Sequence, residues 1–206
     1  DSPEERVARA REEKETGLRG RFKEAGVAYP AKRLFFRAFK RERELELWAG
    51  DGQGSLKLIR TYQVAAASGE LGPKRKEGDR QVPEGIYVID RFNPRSSFHL
   101  SLGLNYPNAS DRIRSDKKKP GGDIFIHGDQ RSIGCLAMTD PIIREIYICA
   151  LDAQRPIAVH IFPTRLDAAG MRALAPEYAS QPELVTFWRE LQPISAAFEK
   201  NRQVPK

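Results

Sequence analysis

The chain of 206 residues is short of cysteine and histidine and has no long hydrophobic run, and each shortage removes a class of answers. Its two cysteines, Cys135 and Cys149, permit at most one disulfide, so this is not a small scaffold stapled by bridges. We expect even that one bridge to be absent, because Cys135 falls on a turn and Cys149 beside the apolar stripe of a predicted helix. With three histidines in all, and none grouped with Cys or Asp at ligand spacing, neither a metal site nor a cofactor is expected. No apolar run approaches the roughly 20 residues that a bilayer span requires, so no transmembrane segment is expected. The chain begins at Asp1 rather than Met, which points to a trimmed N-terminus, so the lack of a signal segment says nothing about export. Clean runs of one charge are scarce too. The net charge is +7, but Arg11-Glu12-Glu13-Lys14-Glu15 and Arg41-Glu42-Arg43-Glu44 mix signs as solvated surfaces do, while Lys117-Lys118-Lys119 is a pure run. With no zinc-finger spacing and no RNP-type aromatic motif, nucleic acid is not an expected partner; a basic surface still suits anionic lipid or carboxylate-rich peptides.

The elements follow from periodicity. Ser2-Pro3-Glu4-Glu5 forms a capping box that opens a helix to about Glu15, and its lack of large apolar residues predicts a surface arm. Gly17 ends that helix, and Leu18, Phe22 and Ala25 space a second, shorter one that stops at Gly26. From Arg33 the period becomes strand-like: Leu34 to Phe39, Leu45 to Trp48, and the alternation of Leu56, Leu58 and Tyr62 predict a meander. Ser68 to Gly85, rich in Gly, Pro and charge, is read as a long loop that carries Lys74. Ile86 to Asp90 and Phe98 to Leu102 read as strands, the second holding His99, with a turn at Asn93 to Ser96 between them. Tyr106-Pro107-Asn108 leads into a short helix suited to walling a cleft. Ile157, Val159 and Ile161 alternate as a last strand, which puts His160 on its opposite, surface-facing side. A helix from Pro182 carries Leu184, Phe187, Trp188 and Leu191 and is expected to break or kink at Pro193. Strands in the middle and helices outside predict an α+β domain: a mostly antiparallel sheet, a sandwich or open barrel, with helices at the N-terminus, after Cys135 and at the C-terminus.

One stretch carries chemistry. The apolar run Ile124-Phe125-Ile126 ends on His127; Gly128 to Arg131 forms a polar turn; Ser132-Ile133-Gly134-Cys135 then leads to a helix starting at Thr139 or Asp140. A cysteine nucleophile needs a base, backbone N–H donors for an oxyanion and an environment that favours thiolate. His127 is a candidate base, Gly134 permits close backbone approach of a substrate, and the helix dipole favours the anion if Cys135 lies near its axis. A lone thiol near a histidine is more often a small buried hydrophobe, so spacing alone leaves catalysis and packing both open.

The His127-Gly128 step before Ser132-Ile133-Gly134-Cys135 resembles the signature of the L,D-transpeptidase catalytic domain, the YkuD type. Gly72-Pro73-Lys74, Lys76-Glu77-Gly78-Asp79, Val82 to Tyr87, Phe98 to Leu102, Tyr106-Pro107-Asn108 and Gly134 to Asp140 are similar to its YafK-like branch, in the family's order, over about residues 33 to 165. The resemblance implies a β-rich domain over 33–165, flanked by a helical arm over 1–32 and a helical extension over 166–206. It implies Cys135 as nucleophile, His127 as base and Gly134 at the oxyanion, with Ser132, Arg131, Gly128, His99, Tyr106 and Lys74 as candidate substrate contacts. The implied substrate is the peptidoglycan stem peptide at meso-diaminopimelate, in the periplasm or cell envelope. The implied reaction is hydrolysis, such as release of a wall-anchored lipoprotein, or else transpeptidation, with a non-catalytic wall-binding module as a further alternative. Two departures bear on the fate of the acyl-enzyme: Ile133 stands where the commoner pattern has a second His, and Ala137 where it has an Arg.

Overall fold

A computed structural model describes residues 1–205. Ser2 accepts from the Glu5 amide while Glu5 reaches back to the Ser2 amide, so the capping box forms, and α1 (Pro3–Ala25) begins there. It is one helix, not two. A mid-helix glycine costs about 1 kcal/mol, and burial of Leu18 and Phe22 beside Gly17 outweighs that. Nor is α1 a surface arm: Ala10, Leu18 and Phe22 are fully buried, and the helix packs along a second helix introduced below.

The meander follows as β1 (Arg33–Phe39), β2 (Glu44–Gly50) and β3 (Lys57–Gln63), each antiparallel to the one before. β4 (Ala66–Ala67), β5 (Gly85–Asn93), β6 (Ser101–Leu104), β7 (Phe125–His127), β8 (Leu136–Ala137) and β9 (Ala158–Phe162) complete a curled sheet in the order β3-β2-β1-β9-β5-β6-β7-β8-β4. β1/β9 and β7/β8 pair parallel and the rest antiparallel. This is the mostly antiparallel α+β architecture that the strand spacing predicts. The helices are α2 (Ala109–Arg114), α3 (Asp140–Asp152), α4 (Ala168–Glu177) and α5 (Pro182–Asn201). α1 and α3 lie together on the concave core, and Tyr62 and Arg60 of β3 bond the buried Glu145 of α3.

Several local expectations are corrected. Phe98 and His99 precede β6 rather than lying in it, and His99 has a left-handed backbone with φ of 75°. α5 continues through Pro193: buried Trp188, Leu191 and Phe198 on either side hold the helix against the cost of the lost N–H. α4, capped by Asp167 on the Gly170 amide, is an element that periodicity did not reveal. His160 is buried, not surface-facing, because α5 covers the second face of the sheet: Phe198 packs on Phe35, which packs on His160.

Candidate active site

β7 and β8 run side by side, with Ile126 opposite Leu136 and His127 opposite Ala137. Cys135, immediately before β8, stands beside Phe125, whose amide donates to Cys135 Sγ at 3.3 Å. The imidazole and the thiol therefore lie on neighbouring strands, two ladder steps apart, a Cα separation of roughly 8 Å. No hydrogen bond joins them. The thiol instead donates toward the Asp123 carbonyl at 3.6 Å.

His127 is well prepared for proton transfer. Its Nδ1 is bonded by the Gly128 carbonyl, which fixes the proton there and leaves Nε2 with the lone pair. Nε2 has no hydrogen-bond partner among the described residues and is not completely sealed, although the residue as a whole is only 2% exposed. Phe98 stacks on the ring at 4.5 Å and 26°. Burial lowers the His127 pKa, partly offset by the Gly128 carbonyl and Asp129. Burial raises the Cys135 pKa, opposed by the Phe125 amide and by the Lys74 charge. Both shifts favour neutral groups, so the resting pair is thiol and imidazole rather than thiolate and imidazolium. An attack by this sulfur would therefore need the proton to move with it, as in general-base catalysis.

Helix α3 does not help the sulfur. The Met138 amide bonds the His127 carbonyl and the Thr139 amide the Asp129 carbonyl, so the chain runs on past His127 before the helix starts. Three residues separate Cys135 from Thr139, four steps of near-extended chain or about 13 Å, and the dipole fades within a turn. The helix start instead orders the polar turn, since Asp140 accepts from the Asp129 amide at 2.9 Å.

The remaining candidates divide. Gly134 has φ of 78°, and a Cβ there would come within 3.3 Å of the Gln81 carbonyl, so the position requires glycine. Its amide, however, is bonded by Ser68 Oγ at 2.6 Å, and the Cys135 amide by Ser132 Oγ at 3.1 Å, so neither proposed oxyanion donor stands free. Ser132 also donates to the Cys135 carbonyl, closing the turn around the thiol; its hydroxyl is turned to the chain, not to a ligand. Gly128 supplies the carbonyl on His127, and any Cβ would lie 2.6 Å from the Phe98 carbonyl and the Asp140 carboxylate. Lys74 is buried and bonded to Asp79 at 2.7 Å, which leaves it an electrostatic neighbour of Cys135 rather than an open carboxylate receptor. Tyr106 is buried, its hydroxyl on the Pro120 carbonyl at 2.9 Å. His99 Nε2 accepts from Arg144 Nε at 2.9 Å. Among these candidates Arg131 alone is exposed.

Sequence reasoning missed Phe98 as the residue stacked on His127 and Ser68 as the hydroxyl under Gly134. It missed too the buried staple of Glu84, which takes Lys40 at 3.1 Å, Trp188 Nε1 at 2.7 Å and the Gly72 amide at 2.8 Å. The one signal available was Glu84 within Val82-Pro83-Glu84-Gly85. That staple holds the 68–84 loop, which together with α5 encloses a cleft of about 1090 Å³ lined by Arg75, Arg80, Gln81, Arg114 and Phe187. The cleft meets the Gly134–Cys135 turn at Gln81 and through Ser68, which donates to the Arg80 carbonyl at 2.7 Å.

A curled, mostly antiparallel sheet presenting an imidazole and a thiol on adjacent strands defines the class. Residues 37–159 match the YkuD L,D-transpeptidase catalytic domain, and the chain belongs to that family. It is 34% identical over 178 residues to YafK of Escherichia coli (strain K12), a protein assigned by name to the L,D-transpeptidases, covering 84% of this chain and 69% of that one. Two structures of the helical cell shape determining protein Pgp2 from Campylobacter jejuni share the fold. The native protein superposes with TM-score 0.52 at 17% identity, over 91% of this chain and 78% of that chain. A point mutant gives TM-score 0.52 at 20% identity, over 70% of this chain; the match spans about half, 53%, of that chain.

Proposed function

We propose that this chain is a cysteine acyl-transfer enzyme of the cell envelope that acts on peptidoglycan stem peptides at the meso-diaminopimelate carbonyl, with water the favoured acceptor. The observation that carries this reading is the His127 ring, anchored at Nδ1 by a carbonyl and open at Nε2, on the strand beside Cys135. Rotation of the Cys135 side chain away from the Phe125 amide carries the thiol toward Nε2. Sulfur then attacks the carbonyl carbon as the thiol proton passes to Nε2, and the resulting imidazolium returns that proton to the departing amine. Water, deprotonated by the same nitrogen, splits the thioester into a free carboxylate and the thiol. The oxyanion takes the Cys135 amide, the more weakly held of the two, by displacing Ser132 Oγ; such a donor contributes about 3 kcal/mol in the transition state. Likeness to the YafK-like branch, which includes enzymes that cut, favours hydrolysis over cross-linking, and the leaving amine can then belong to a wall-anchored protein.

Incubation with muropeptides and wall-anchored peptides tests the acceptor: shortened or detached products support hydrolysis, while new 3-3 dimers overturn it in favour of transpeptidation. Labelling with a carbapenem followed by mass mapping tests the nucleophile. An adduct on Cys135 and none on Cys149 is expected, whereas a folded, reduced protein that leaves Cys135 unlabelled sinks the enzymatic reading and leaves a wall-binding module.

A further inference from the structure

Helix α1 lies outside the 37–159 family match, yet it grips the loop whose Phe98 ring stacks on His127. Arg6 Nη1 donates to three carbonyls of the β5–β6 connection: Ser96 at 2.8 Å, His99 at 2.9 Å and Pro94 at 3.4 Å. Phe98, between two of those acceptors, is the ring stacked on His127 at 4.5 Å. A second hold comes seven residues along the same helix face, where Glu13 bonds Arg144 Nη1 at 2.9 Å while Arg144 Nε holds the His99 ring at 2.9 Å. His99 is thus fixed at its carbonyl from α1 and at its ring from α3. Left-handed backbone at a non-glycine residue persists only where the surroundings impose it. The Phe98 carbonyl in turn lies so close to Gly128 that a Cβ there would sit 2.6 Å away, and Gly128 carries the carbonyl on His127 Nδ1.

We propose that Arg6 is a positioning residue for the reaction: through the 94–99 loop and the Phe98 ring, α1 sets the plane of His127 and hence the direction in which Nε2 receives the thiol proton. This rests on the reading of His127 as the base. Two consequences separate it from simple stabilisation. Loss of Arg6 should lower kcat with little change in KM, because the loop touches the imidazole and not the cleft lined by Arg75 and Phe187. And Arg6 and Phe98 act along one path, so their effects should not add.

The test uses Arg6→Ala, Arg6→Lys, Phe98→Leu and the Arg6→Ala/Phe98→Leu pair in the full chain. The readouts are kcat and KM on a muropeptide substrate, and ¹⁵N resonances of the His127 ring across pH. Arg6→Ala should reduce kcat about tenfold, with KM within twofold. It should also shift the His127 titration, regain activity with added guanidinium, and match the double variant within about twofold. Arg6→Lys should fall between Arg6→Ala and the parent. The proposal is overturned if Arg6→Ala leaves both kcat and the His127 titration unchanged, or if the two substitutions multiply. Should Arg6→Ala fail to fold, Phe98→Leu and Arg6→Lys carry the same comparison. If Cys135→Ala proves as active as the parent, the functional reading has failed, and an unchanged or altered ring titration still decides whether α1 orients His127.

Discussion

His127 and His160 make an instructive pair. Both are buried histidines on strands, 2% and 1% exposed, and burial lowers the pKa of both. They differ in what their nitrogens meet. His127 has a carbonyl on Nδ1 and an open Nε2 next to a strand bearing a thiol. Among the described residues His160 has no partner at either nitrogen, and it sits between Phe35 at 4.6 Å and Phe162 at 6.1 Å with Arg37 opposite it on the neighbouring strand. Burial and a shifted pKa do not by themselves make a site. A proton-transfer group needs one nitrogen fixed, the other reachable and a reacting atom within one side-chain rotation, and only His127 combines these.

The largest expected effect breaks the chemistry on one side of that comparison. Cys135→Ala should lower turnover at least about 10³-fold, and His127→Ala about 10² to 10⁴-fold, measured as release of peptide from muropeptides. Since burial lowers the His127 pKa, the base stays neutral below the usual histidine range. The acid limb of kcat/KM against pH, which reports the free enzyme, should therefore lie under about 6.5. An acid limb above that value would show that the ring is not held as described.

The next effect lies on the other side and touches stability. His160 is pushed down to about 4 in the folded chain by burial and then by Arg37, whereas an unfolded histidine titrates near 6.5. The unfolded state therefore takes up a proton first. Above pH 6.5 this group contributes no pH dependence; as pH falls from 6.5 to 4 it costs the folded state a growing amount, on the order of 3 kcal/mol in all, and nothing further below 4. Urea melts of the parent and of His160→Leu should diverge across that window, with the parent losing more. Parallel curves would refute the assignment.

The two histidines also mark what could be read from residue order. The signature around His127 and Cys135 and the capping box at Ser2 and Glu5 are local, and they were legible; the alternation expected over Leu56, Leu58 and Tyr62 was not, since Leu58 is exposed and β3 buries Ile59 and Tyr62 instead. The burial of His160 was not, because alternation assumes one wet face and α5 covers that face from 40 residues further on. In β1 and β2 the same covering makes all but the first residue buried, so the pattern is an apolar run with Arg37 and Glu46 paired inside it at 2.8 Å. Gly17 and Pro193 read as breaks because propensity is summed locally, while the burial that overrides it is tertiary. The contact of Phe98 with His127 depends on Arg6, some 90 residues earlier in the chain, and no spacing rule reaches that far.

The smallest effect sharpens the contrast most. At pH 7 His160 is neutral, so His160→Leu removes no charge; it removes two buried polar nitrogens that have no hydrogen-bond partner. A buried group without a partner costs roughly 1–3 kcal/mol of desolvation, and a branched leucine in place of a flat ring returns part of that through imperfect packing between Phe35 and Phe162. The net expectation is a gain of about 1 kcal/mol in urea unfolding at pH 7, with kcat within twofold of the parent. The same substitution at His127 should cost nearly all activity, since the Gly128 carbonyl loses its donor and the thiol its base. If His160→Leu instead reduces kcat tenfold at unchanged stability, the second histidine is coupled to the reaction and the distinction drawn between the two sites is wrong.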